Sequence, residues 1–386
     1  MAPKPIISTP LQKIIADGIR ATGPIPLATY MQLCLSHPTY GYYMSPQNSI
    51  FGTKGDFVTS PELSSVFGEI VGVWLVYQWL QREKQLPLRI VELGPGRGML
   101  MHDILRVVAQ FKSGQNALQS INLVETSPTL RDLQASRLEA ATMQLGSRLE
   151  WHDSVEQIEQ REDVFTLVVA HEFFDALPVH LIERTEQGWQ EILVALSDAN
   201  TFQYVLSPNP TAASTLLGHS SPRFATLPVG SRLEVSPTGF RTMRSIGSLI
   251  AGPPPERIAK GCGLIIDYGN AQASSNSFRA FKNHAIVDPF NEPGNCDLTA
   301  NVDFAHLTEA VADIVPVHGP LPQSRFLTDM GLNMRVEALS RKCQTPEEKE
   351  ALILRSTADR LVDEKGMGSQ YKILGLGGKA GDVWPF

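Results

Sequence analysis

The fold of this 386-residue chain is decided by the stretch Val91-Glu92-Leu93-Gly94-Pro95-Gly96-Arg97-Gly98. The apolar residues up to Leu93 predict a buried strand over 89–93, and the residues after Gly98 predict a helix over 99–108. Glycines at alternate positions let the backbone turn sharply and approach a ligand where a Cβ atom would collide. Such a turn after a first strand predicts a doubly wound α/β sheet with a nucleotide-like ligand at the carboxyl end of that strand.

The spacing of these glycines distinguishes between two kinds of ligand. A dinucleotide-binding fingerprint, G-x-G-x-x-G, would need its third glycine at the position of Met99. The chain instead has Gly94, Gly96 and Gly98, with Glu92 two residues before the first of them. This E-x-G-x-G-x-G pattern resembles motif I of the class I S-adenosyl-L-methionine (SAM) methyltransferases. For this motif taken alone, a glycine-rich turn without a ligand remains the alternative.

The composition argues against several classes of protein. Apolar residues make up 42% of the chain and charged residues 19%, which predicts a globular protein with a sizeable core. The net charge of −7 at pH 7 argues against a non-specific nucleic-acid binder and suits a cationic substrate. The four cysteines lie far apart without metal-ligand spacing. We therefore expect no metal site, no disulfide framework and a reducing compartment.

The sequence predicts neither a membrane span nor an export segment. The longest apolar run, Val71 to Leu80, is too short to cross a bilayer, and Gln78 interrupts it. The first residues lack the apolar core of a secretory signal, and Asp17 with scarce arginine disfavours a transit peptide. We therefore expect a soluble, cytoplasmic protein.

The order of apolar runs, helical patterns and turns predicts four segments. Residues 1–87 are predicted as a helical N-terminal segment with one long helix over 61–80, and residues 88–182 as the first part of the ligand-binding core. Residues 183–260 alternate like short strands and predict an inserted β-rich subdomain that could form a lid. Residues 261–386 complete the core, with an insertion over 270–299 that is predicted as a loop. The predicted core strands are 89–93, 121–124, 149–151, 165–170 and 263–266, all parallel, followed by an antiparallel pair over 314–317 and 371–376.

Acidic side chains follow four of the five predicted parallel strands. These are Glu125, Asp153, Glu172 (directly after His171) and Asp267. A polar residue at the end of one strand is routine, but four acids at the same edge of a sheet are hard to assign to chance. Because ligands of open α/β sheets bind at the carboxyl ends of the strands, we expect these side chains to line one site.

The positions of these residues suit the parts of SAM. Glu125 is expected to accept hydrogen bonds from both ribose hydroxyls, and Asp153 from the adenine amine. Glu92 lies close to the methionine end, where it would meet the ammonium group directly or through water. His171, at the end of the fourth strand, is also expected to line the cofactor. A bound sulfonium needs neither a metal nor a base, because its methyl group is already activated.

The residues expected to meet the methyl acceptor follow the fourth strand. Glu172 and Asp175 are the candidate catalytic residues, and they flank the aromatic pair Phe173 and Phe174. Two carboxylates beside aromatic rings suit a cationic nitrogen acceptor such as a guanidinium, which must be bound, oriented and relieved of a proton. The alternative is that the phenylalanines belong to a core and that Glu172 only caps a helix.

These motifs together resemble one family in particular, the MidA-type methyltransferases, which are relatives of the mitochondrial complex I assembly arginine methyltransferase. The motifs that carry the resemblance are Tyr40-Gly41-Tyr42-Tyr43, Gly55-Asp56-Phe57-Val58-Thr59-Ser60-Pro61-Glu62, Phe67-Gly68-Glu69, Val91 to Gly98, Glu172-Phe173-Phe174-Asp175-Ala176-Leu177-Pro178-Val179-His180, Ile266-Asp267-Tyr268-Gly269 and Asp297-Leu298-Thr299-Ala300-Asn301-Val302-Asp303-Phe304.

The resemblance implies a class I methyltransferase fold (a Rossmann-like, seven-stranded, mostly parallel sheet) with added helices and a β-rich insertion, and SAM as the cofactor. It further implies that the loop from Asp56 to Glu62, with Asp56 and Thr59, folds over the cofactor and that Glu172 lies in the acceptor pocket. The mitochondrial relatives dimethylate an arginine of a complex I subunit, so the resemblance implies a protein substrate, with the equivalent respiratory subunit as a candidate. Because no transit peptide is predicted, the resemblance also implies a bacterial member of the family.

We therefore predict a SAM-dependent N-methyltransferase that acts on an arginine of a protein. Two alternatives stay open: a SAM-binding assembly factor that works mainly through protein–protein contact, and a methyltransferase with another acceptor. An NAD-dependent oxidoreductase is disfavoured by Met99 and by the absence of hydride-transfer residues. The sequence does not predict the oligomeric state, or whether the insertions bind a partner.

Overall fold

The computed structural model describes residues 9–45, 59–82, 86–253, 260–273, 275–341, 348–378 and 383–386. The helices of this part of the chain are α1 (Pro10–Thr22), α2 (Leu27–Ser36), α3 (Ser60–Leu63), α4 (Ser65–Leu80), α5 (Met99–Val108), α6 (Lys112–Ala117), α7 (Pro128–Leu145), α8 (Ala212–Gly218), α9 (Pro237–Ala251), α10 (Phe304–Val311), α11 (Gln323–Asp329), α12 (Leu332–Ser340), α13 (Glu348–Val362) and α14 (Met367–Gln370).

The strands of the same residues are β1 (Ile25–Pro26), β2 (Leu88–Leu93), β3 (Leu118–Val124), β4 (Arg148–His152), β5 (Phe165–His171), β6 (His180–Thr185), β7 (Gly188–Leu196), β8 (Phe202–Leu206), β9 (Arg232–Val235), β10 (Gly261–Asn270), β11 (Arg279–Lys282), β12 (Ala285–Val287), β13 (Asp297–Thr299), β14 (Val302–Asp303), β15 (Val317–Pro322) and β16 (Tyr371–Gly377).

The chain divides into two compact units. The first, which we call the insertion unit, comprises the described residues of Met1–Phe57, Asp175–Arg241 and Gln272–Glu309. The second, the core unit, comprises those of Val58–Phe174, Thr242–Ala271 and Ala310–Phe386. Of the segment predicted as an inserted subdomain, 183–260, residues up to Arg241 therefore fall in the insertion unit and residues from Thr242 in the core unit. The four predicted segment boundaries stay a prediction.

The core unit is built on a sheet with the strand order β15-β16-β10-β5-β2-β3-β4. The five strands from β10 to β4 run parallel, and β16 runs antiparallel to both of its neighbours. A parallel sheet is covered on both faces, so its strands read as continuous apolar runs. All seven residues of β5 are buried, as are all six of β2.

The register of this sheet aligns the ends of its parallel strands. Leu93 pairs with Val124 on one side and with Ala170 on the other. Val124 pairs in turn with His152, and His171 with Ile266. The residues that follow these paired positions therefore lie along one edge of the sheet. Gly94, Glu125, Asp153 and Glu172 come directly after a strand, and Asp267 lies within β10.

Helix α4 packs against α5, and both contribute to the core of this unit. Trp74 and Phe67 of α4 are fully buried there, together with Ile104 and Leu105 of α5. Removing such large apolar side chains from water stabilises a fold by about 1.5–3 kcal/mol each. This packing fixes the amino end of α5, and with it the turn that precedes the helix.

The insertion unit contains two antiparallel sheets. One has the order β1-β7-β6-β9, with β8 paired to β7, and the other has the order β12-β11-β13. Tyr30 of α2 is fully buried in the core of this unit, where its ring lies edge-on to Phe202 and to Phe290. Its hydroxyl donates a hydrogen bond to the carbonyl oxygen of Pro289 over 2.7 Å.

The sequence predictions of the elements agree with the structure over most of the sheet and differ in three places. The predicted parallel strands, the last strand and its antiparallel pairing are confirmed. The helix predicted over 61–80 is broken at Ser64, whose extended backbone begins a second helix and whose Oγ accepts a hydrogen bond from Val66 N. The edge strand expected over 314–317 lies at Val317–Pro322. The loop predicted over 270–299 was wrong, because this segment forms β11, β12 and β13.

Candidate active site

The glycine turn after β2 has the left-handed backbone that its sequence predicts. Gly94, Gly96 and Gly98 have φ angles of 64°, 52° and 76°, a region that side-chain-bearing residues rarely adopt. A Cβ atom on Gly94 would lie 2.9 Å from Cδ2 of Phe173, so the ring of Phe173 packs where only a glycine fits. Gly98 is the N-cap of α5, whose amino end therefore follows the turn directly.

Glu92 is an acid buried in an apolar setting. Only 2% of the residue is exposed, and burial raises the pKa of its carboxyl to about 8 in spite of a hydrogen bond from the backbone of Met101. Among the described residues its Oε2 has no hydrogen-bond partner. A buried carboxyl with an unused oxygen is costly unless a ligand supplies the missing partner. Such a group fits the ammonium of a ligand.

Glu125 is held in place by its neighbours. Its Oε1 accepts a hydrogen bond from the backbone N–H of Ser127 over 2.8 Å, and its Oε2 from Nε2 of Gln134 over 3.3 Å. Burial raises the pKa of Glu125, and these hydrogen bonds oppose the rise. Each carboxylate oxygen accepts more than one hydrogen bond, so Glu125 keeps the capacity to bind two hydroxyls.

Gln134 connects three parts of the site, and the sequence interpretation missed it. The residue is fully buried in α7, and its Nε2 also donates to the carbonyl oxygen of Gly96 over 2.7 Å. Its Oε1 accepts a hydrogen bond from Nε1 of Trp151 in β4. One side chain thus links the glycine turn, Glu125 and the third parallel strand.

Asp153 lies at the open side of this edge. Its side chain is 67% exposed, and its Oδ1 accepts a hydrogen bond from Nη2 of Arg131 over 2.6 Å. Arg131 also donates from Nε to the carbonyl oxygen of Glu125. Arg131 was not predicted from the sequence as a site residue. Its guanidinium group links the ends of β3 and β4. An exposed pair of this kind contributes only about 0–1 kcal/mol to stability.

His171 ends β5 with a neutral ring. Burial lowers the pKa of His171 to about 3. Within the described part of the chain, its Nε2 is buried without a hydrogen-bond partner and lies 3.6 Å from Oε1 of Glu172. The ring lies edge-on to Phe67 and parallel to Tyr371, with centroid distances of 5.2 and 6.3 Å. A neutral imidazole here is a hydrogen-bonding group rather than a cation.

Glu172 has an unusual backbone and a constrained side chain. Its φ of 49° lies in the left-handed region, which is strained for a residue with a side chain. Its backbone N–H donates to the carbonyl oxygen of Ile266, and its Oε1 accepts a hydrogen bond from the hydroxyl of Tyr371 over 2.9 Å. The side chain is 13% exposed. Such strain persists only where the surrounding structure holds the residue in place, as the hydrogen bonds to Ile266 and from Tyr371 do here.

Asp267 explains how the turn after β5 is held. The residue is fully buried, and its Oδ2 accepts hydrogen bonds from the backbone N–H groups of Phe173 and Phe174 over 3.2 and 3.0 Å. The sequence placed Asp267 at this edge of the sheet. The structure gives it a structural role, because its carboxylate binds the backbone next to Glu172.

Asp175, Thr59 and Asp56 are the remaining predicted site residues. Asp175 belongs to the insertion unit, where it is buried and its carbonyl oxygen accepts a hydrogen bond from Ala300 N. Thr59 is the N-cap of α3, but its side chain makes no capping hydrogen bond. Asp56 lies outside the described residues. In the part of the chain that is described, no helix is long and apolar enough to cross a membrane, and no group of residues has the make-up of a metal site.

Comparisons with known proteins agree with this geometry. The model of a family described as "Putative S-adenosyl-L-methionine-dependent methyltransferase" matches residues 70–321. The Drosophila melanogaster homologue of the mitochondrial protein arginine methyltransferase NDUFAF7 is 39% identical, over 95% of this chain and 84% of the relative. Human mitochondrial NDUFAF7 is 33% identical, over 95% and 83%. The crystal structure of a Burkholderia thailandensis protein bound to S-adenosyl-homocysteine matches with a TM-score of 0.77 and 26% identity, over 95% of this chain and 92% of that chain.

The fold and these relatives identify the family. The sheet with five parallel strands and an antiparallel last strand is the class I methyltransferase fold, and its cofactor is SAM. The buried, unpartnered oxygen of Glu92 and the glycine turn that admits no Cβ at Gly94 fit such a cofactor. From its fold, its glycine turn and its relatives over nearly the whole length, this chain belongs to the family of S-adenosyl-L-methionine-dependent methyltransferases.

Proposed function

We propose that the protein methylates a nitrogen of an arginine side chain in a protein substrate. The single observation that carries this proposal is the carboxylate of Glu172, largely buried at the ligand edge of the sheet and held by Tyr371. The fly and human relatives are both named protein arginine methyltransferases. An acidic chain, with a net charge of −7, also suits a cationic acceptor.

The cofactor would be held by the residues at the carboxyl ends of β2, β3 and β4. Gly94, Gly96 and Gly98 would let the backbone approach it, and Glu92 would meet its ammonium group. Glu125 would accept hydrogen bonds from its ribose hydroxyls, Asp153 from its adenine amine, and His171 would line the site, as would Asp56 and Thr59. When bound, SAM supplies an activated methyl group on a sulfonium.

Glu172 and Asp175 would bind and orient the methyl acceptor. A guanidinium is charged at neutral pH and spreads its charge over three nitrogens. Carboxylates that bind it localise that charge and orient one nitrogen toward the methyl group. As this nitrogen gains the methyl group it loses one proton, and Glu172 would accept it. Phe173, packed against Gly94, would exclude water from this contact.

We further propose a subunit of respiratory complex I as the substrate and the bacterial cytoplasm as the compartment. The mitochondrial location of the relatives supports a link to respiration. Cys34, Cys262 and Cys296 are buried as thiols and not as disulfides, which supports a reducing compartment.

Mass spectrometry of methylated arginine in cells tests the proposal. Deleting the gene in its natural host should remove specific methylarginine sites, and reintroducing the wild-type gene should restore them. Methylarginine that is lost from a complex I subunit would support that substrate. If no arginine site changes while methylation of another residue type disappears, the arginine proposal is wrong.

The Glu172→Gln variant distinguishes catalysis from a scaffold role in the same cells. Glutamine has nearly the same shape as glutamate, but it cannot take up the acceptor's proton. We expect it to fail in restoring methylation. If it restores assembly of the respiratory complex without methylation, then the alternative of an assembly factor that acts through protein–protein contact is correct.

A further inference from the structure

We propose that Tyr371 is a positioning residue for methyl transfer, because its hydroxyl fixes the carboxylate of Glu172 toward the acceptor. This inference rests on the proposed function of Glu172 and adds a residue that comes 199 positions later in the chain. It concerns the transfer step alone, since Tyr371 is not among the residues that would hold the cofactor.

The topology of the sheet explains how Tyr371 reaches this edge. The parallel strands end at the ligand edge, but β16 runs antiparallel to β10, so β16 begins there. Tyr371 is its first residue and pairs with Tyr268 near the end of β10. A strand that runs the opposite way thus contributes the side chain of its first residue to a site otherwise built from strand ends.

The hydrogen bond restricts the orientation of the Glu172 carboxylate. The Tyr371 hydroxyl donates to Oε1 over 2.9 Å, which is a normal length for such a bond. A carboxylate whose Oε1 is held by a fixed donor cannot rotate freely about its last torsion. The plane of the carboxylate is then fixed, which is what a directional contact with a guanidinium requires.

The phenol is itself held from two sides. The ring of Tyr268 packs edge-on against it, with a centroid distance of 5.6 Å and an angle of 79°. The ring of His171 lies nearly parallel to it, at 6.3 Å and 12°. Since His171 is buried and neutral, it does not compete as a cation for the carboxylate. Aromatic packing therefore fixes the position of the Tyr371 hydroxyl that donates to Oε1 of Glu172.

The Tyr371→Phe variant tests the role of this hydroxyl. It keeps the ring and its packing but removes the donor to Glu172. Misplacing a reacting group by about 1 Å can lower a rate about 100-fold. We expect the maximal rate of methyl transfer to fall about 10- to 100-fold, while the apparent KM for the acceptor changes little and the Kd for SAM stays within about twofold.

The assay uses full-length protein with tritiated SAM and increasing amounts of protein extract from a strain that lacks the gene. Tyr30→Phe is the matched control, because it also removes one tyrosine hydroxyl that donates a hydrogen bond, in this case to the carbonyl oxygen of Pro289 over 2.7 Å. It should cost similar stability and leave the transfer rate unchanged. If Tyr371→Phe transfers methyl groups at the wild-type rate, or if both variants lose rate equally with their stability, the proposal is overturned.

A failure of this proposal is distinct from a failure of the proposed function. If Glu172→Gln keeps wild-type activity, the role of Glu172 is wrong and Tyr371 has nothing to position. If Glu172→Gln is inactive but Tyr371→Phe is fully active, Glu172 keeps its role and only the inference about Tyr371 is wrong.

Discussion

The amide of Gln134 donates a hydrogen bond to the carbonyl oxygen of Gly96 over 2.7 Å, and thereby ties α7 to the glycine turn. The same side chain accepts a hydrogen bond from Trp151 and donates one to Glu125. The backbone of the turn makes hydrogen bonds of its own, from Gly98 N–H to the carbonyl oxygen of Pro95 over 2.7 Å and from Gly94 N–H to Val124. Gln134, a fully buried residue outside the glycine motif, adds support from a neighbouring helix.

Replacing Gln134 should weaken cofactor binding. Gln134→Leu leaves a carbonyl oxygen and an indole N–H without partners, at a cost of about 1–3 kcal/mol for each buried group. We expect a loss of stability and a rise of about tenfold or more in the Kd for SAM, measured by calorimetry. Gln134→Glu keeps the acceptor for Trp151 but replaces the donor to Gly96 and Glu125 by an acceptor, so it should lose affinity as well. Wild-type affinity in both variants would show that this network does not support the turn.

Two alanine substitutions separate backbone strain from steric collision. Gly94→Ala and Gly98→Ala both place a side chain at a left-handed φ, which costs about 1–2 kcal/mol. Only the first brings a Cβ within 2.9 Å of Phe173; the nearest atom to a Cβ on Gly98 is 3.6 Å away. We therefore expect Gly94→Ala to lose about 1–3 kcal/mol more in the free energy of unfolding. It should also lose more affinity for SAM. Equal losses in urea unfolding would contradict the packing described for Phe173.

Glu92 should make the stability of the cofactor-free protein depend on pH. Burial raises its pKa to about 8 in the folded chain, whereas an unfolded glutamate titrates at about 4.3. The unfolded chain thus loses this proton first as the pH rises, so the contribution of Glu92 to stability falls between these two values. We expect the Tm to fall more from pH 5 to pH 8 in the wild type than in Glu92→Gln. Parallel curves for the two proteins would contradict this.

The same carboxyl should release a proton when the cofactor binds. At pH 6.5 it is protonated in the free protein, and a neighbouring ammonium would favour its ionised form. Calorimetric titrations with SAM in buffers of different ionisation enthalpy measure this release directly. The release should be absent in Glu92→Gln. A wild-type binding enthalpy that is independent of the buffer would rule out contact between Glu92 and the ammonium.

The sequence predicts the sheet and its ligand edge well, because both depend on local patterns. A buried parallel strand appears in the sequence as an apolar run. The polar residue directly after that run then lies at the ligand edge of the sheet. Glu125, Asp153 and Glu172 were found in this way, and the register of the sheet aligns them. Each strand is predicted from its own apolar run alone. Strands that long insertions separate in the sequence were therefore predicted as well.

Residues that act through distant contacts could not be predicted in this way. Gln134 is one polar residue among many on α7, and only the structure shows that its side chain points inward. The strands β11 to β13 are three or four residues long. They lie in a segment rich in turn-forming residues. Contacts from elsewhere stabilise them, such as the carboxylate of Glu234, which accepts hydrogen bonds from Ser277 N and Phe278 N.

In the proposed function, Glu172 serves methyl transfer to arginine and not cofactor binding. The test compares the wild-type protein with Glu172→Gln in two measurements. Calorimetry gives the Kd for SAM. The second assay follows the transfer of tritiated methyl groups to arginine in proteins extracted from a strain without the gene. We predict that Glu172→Gln binds SAM within about threefold of the wild type and transfers at least about 100-fold more slowly. The proposed role of Glu172 is contradicted if Glu172→Gln methylates arginine at the wild-type rate. It is also contradicted if a loss of SAM binding accounts for the whole loss of activity.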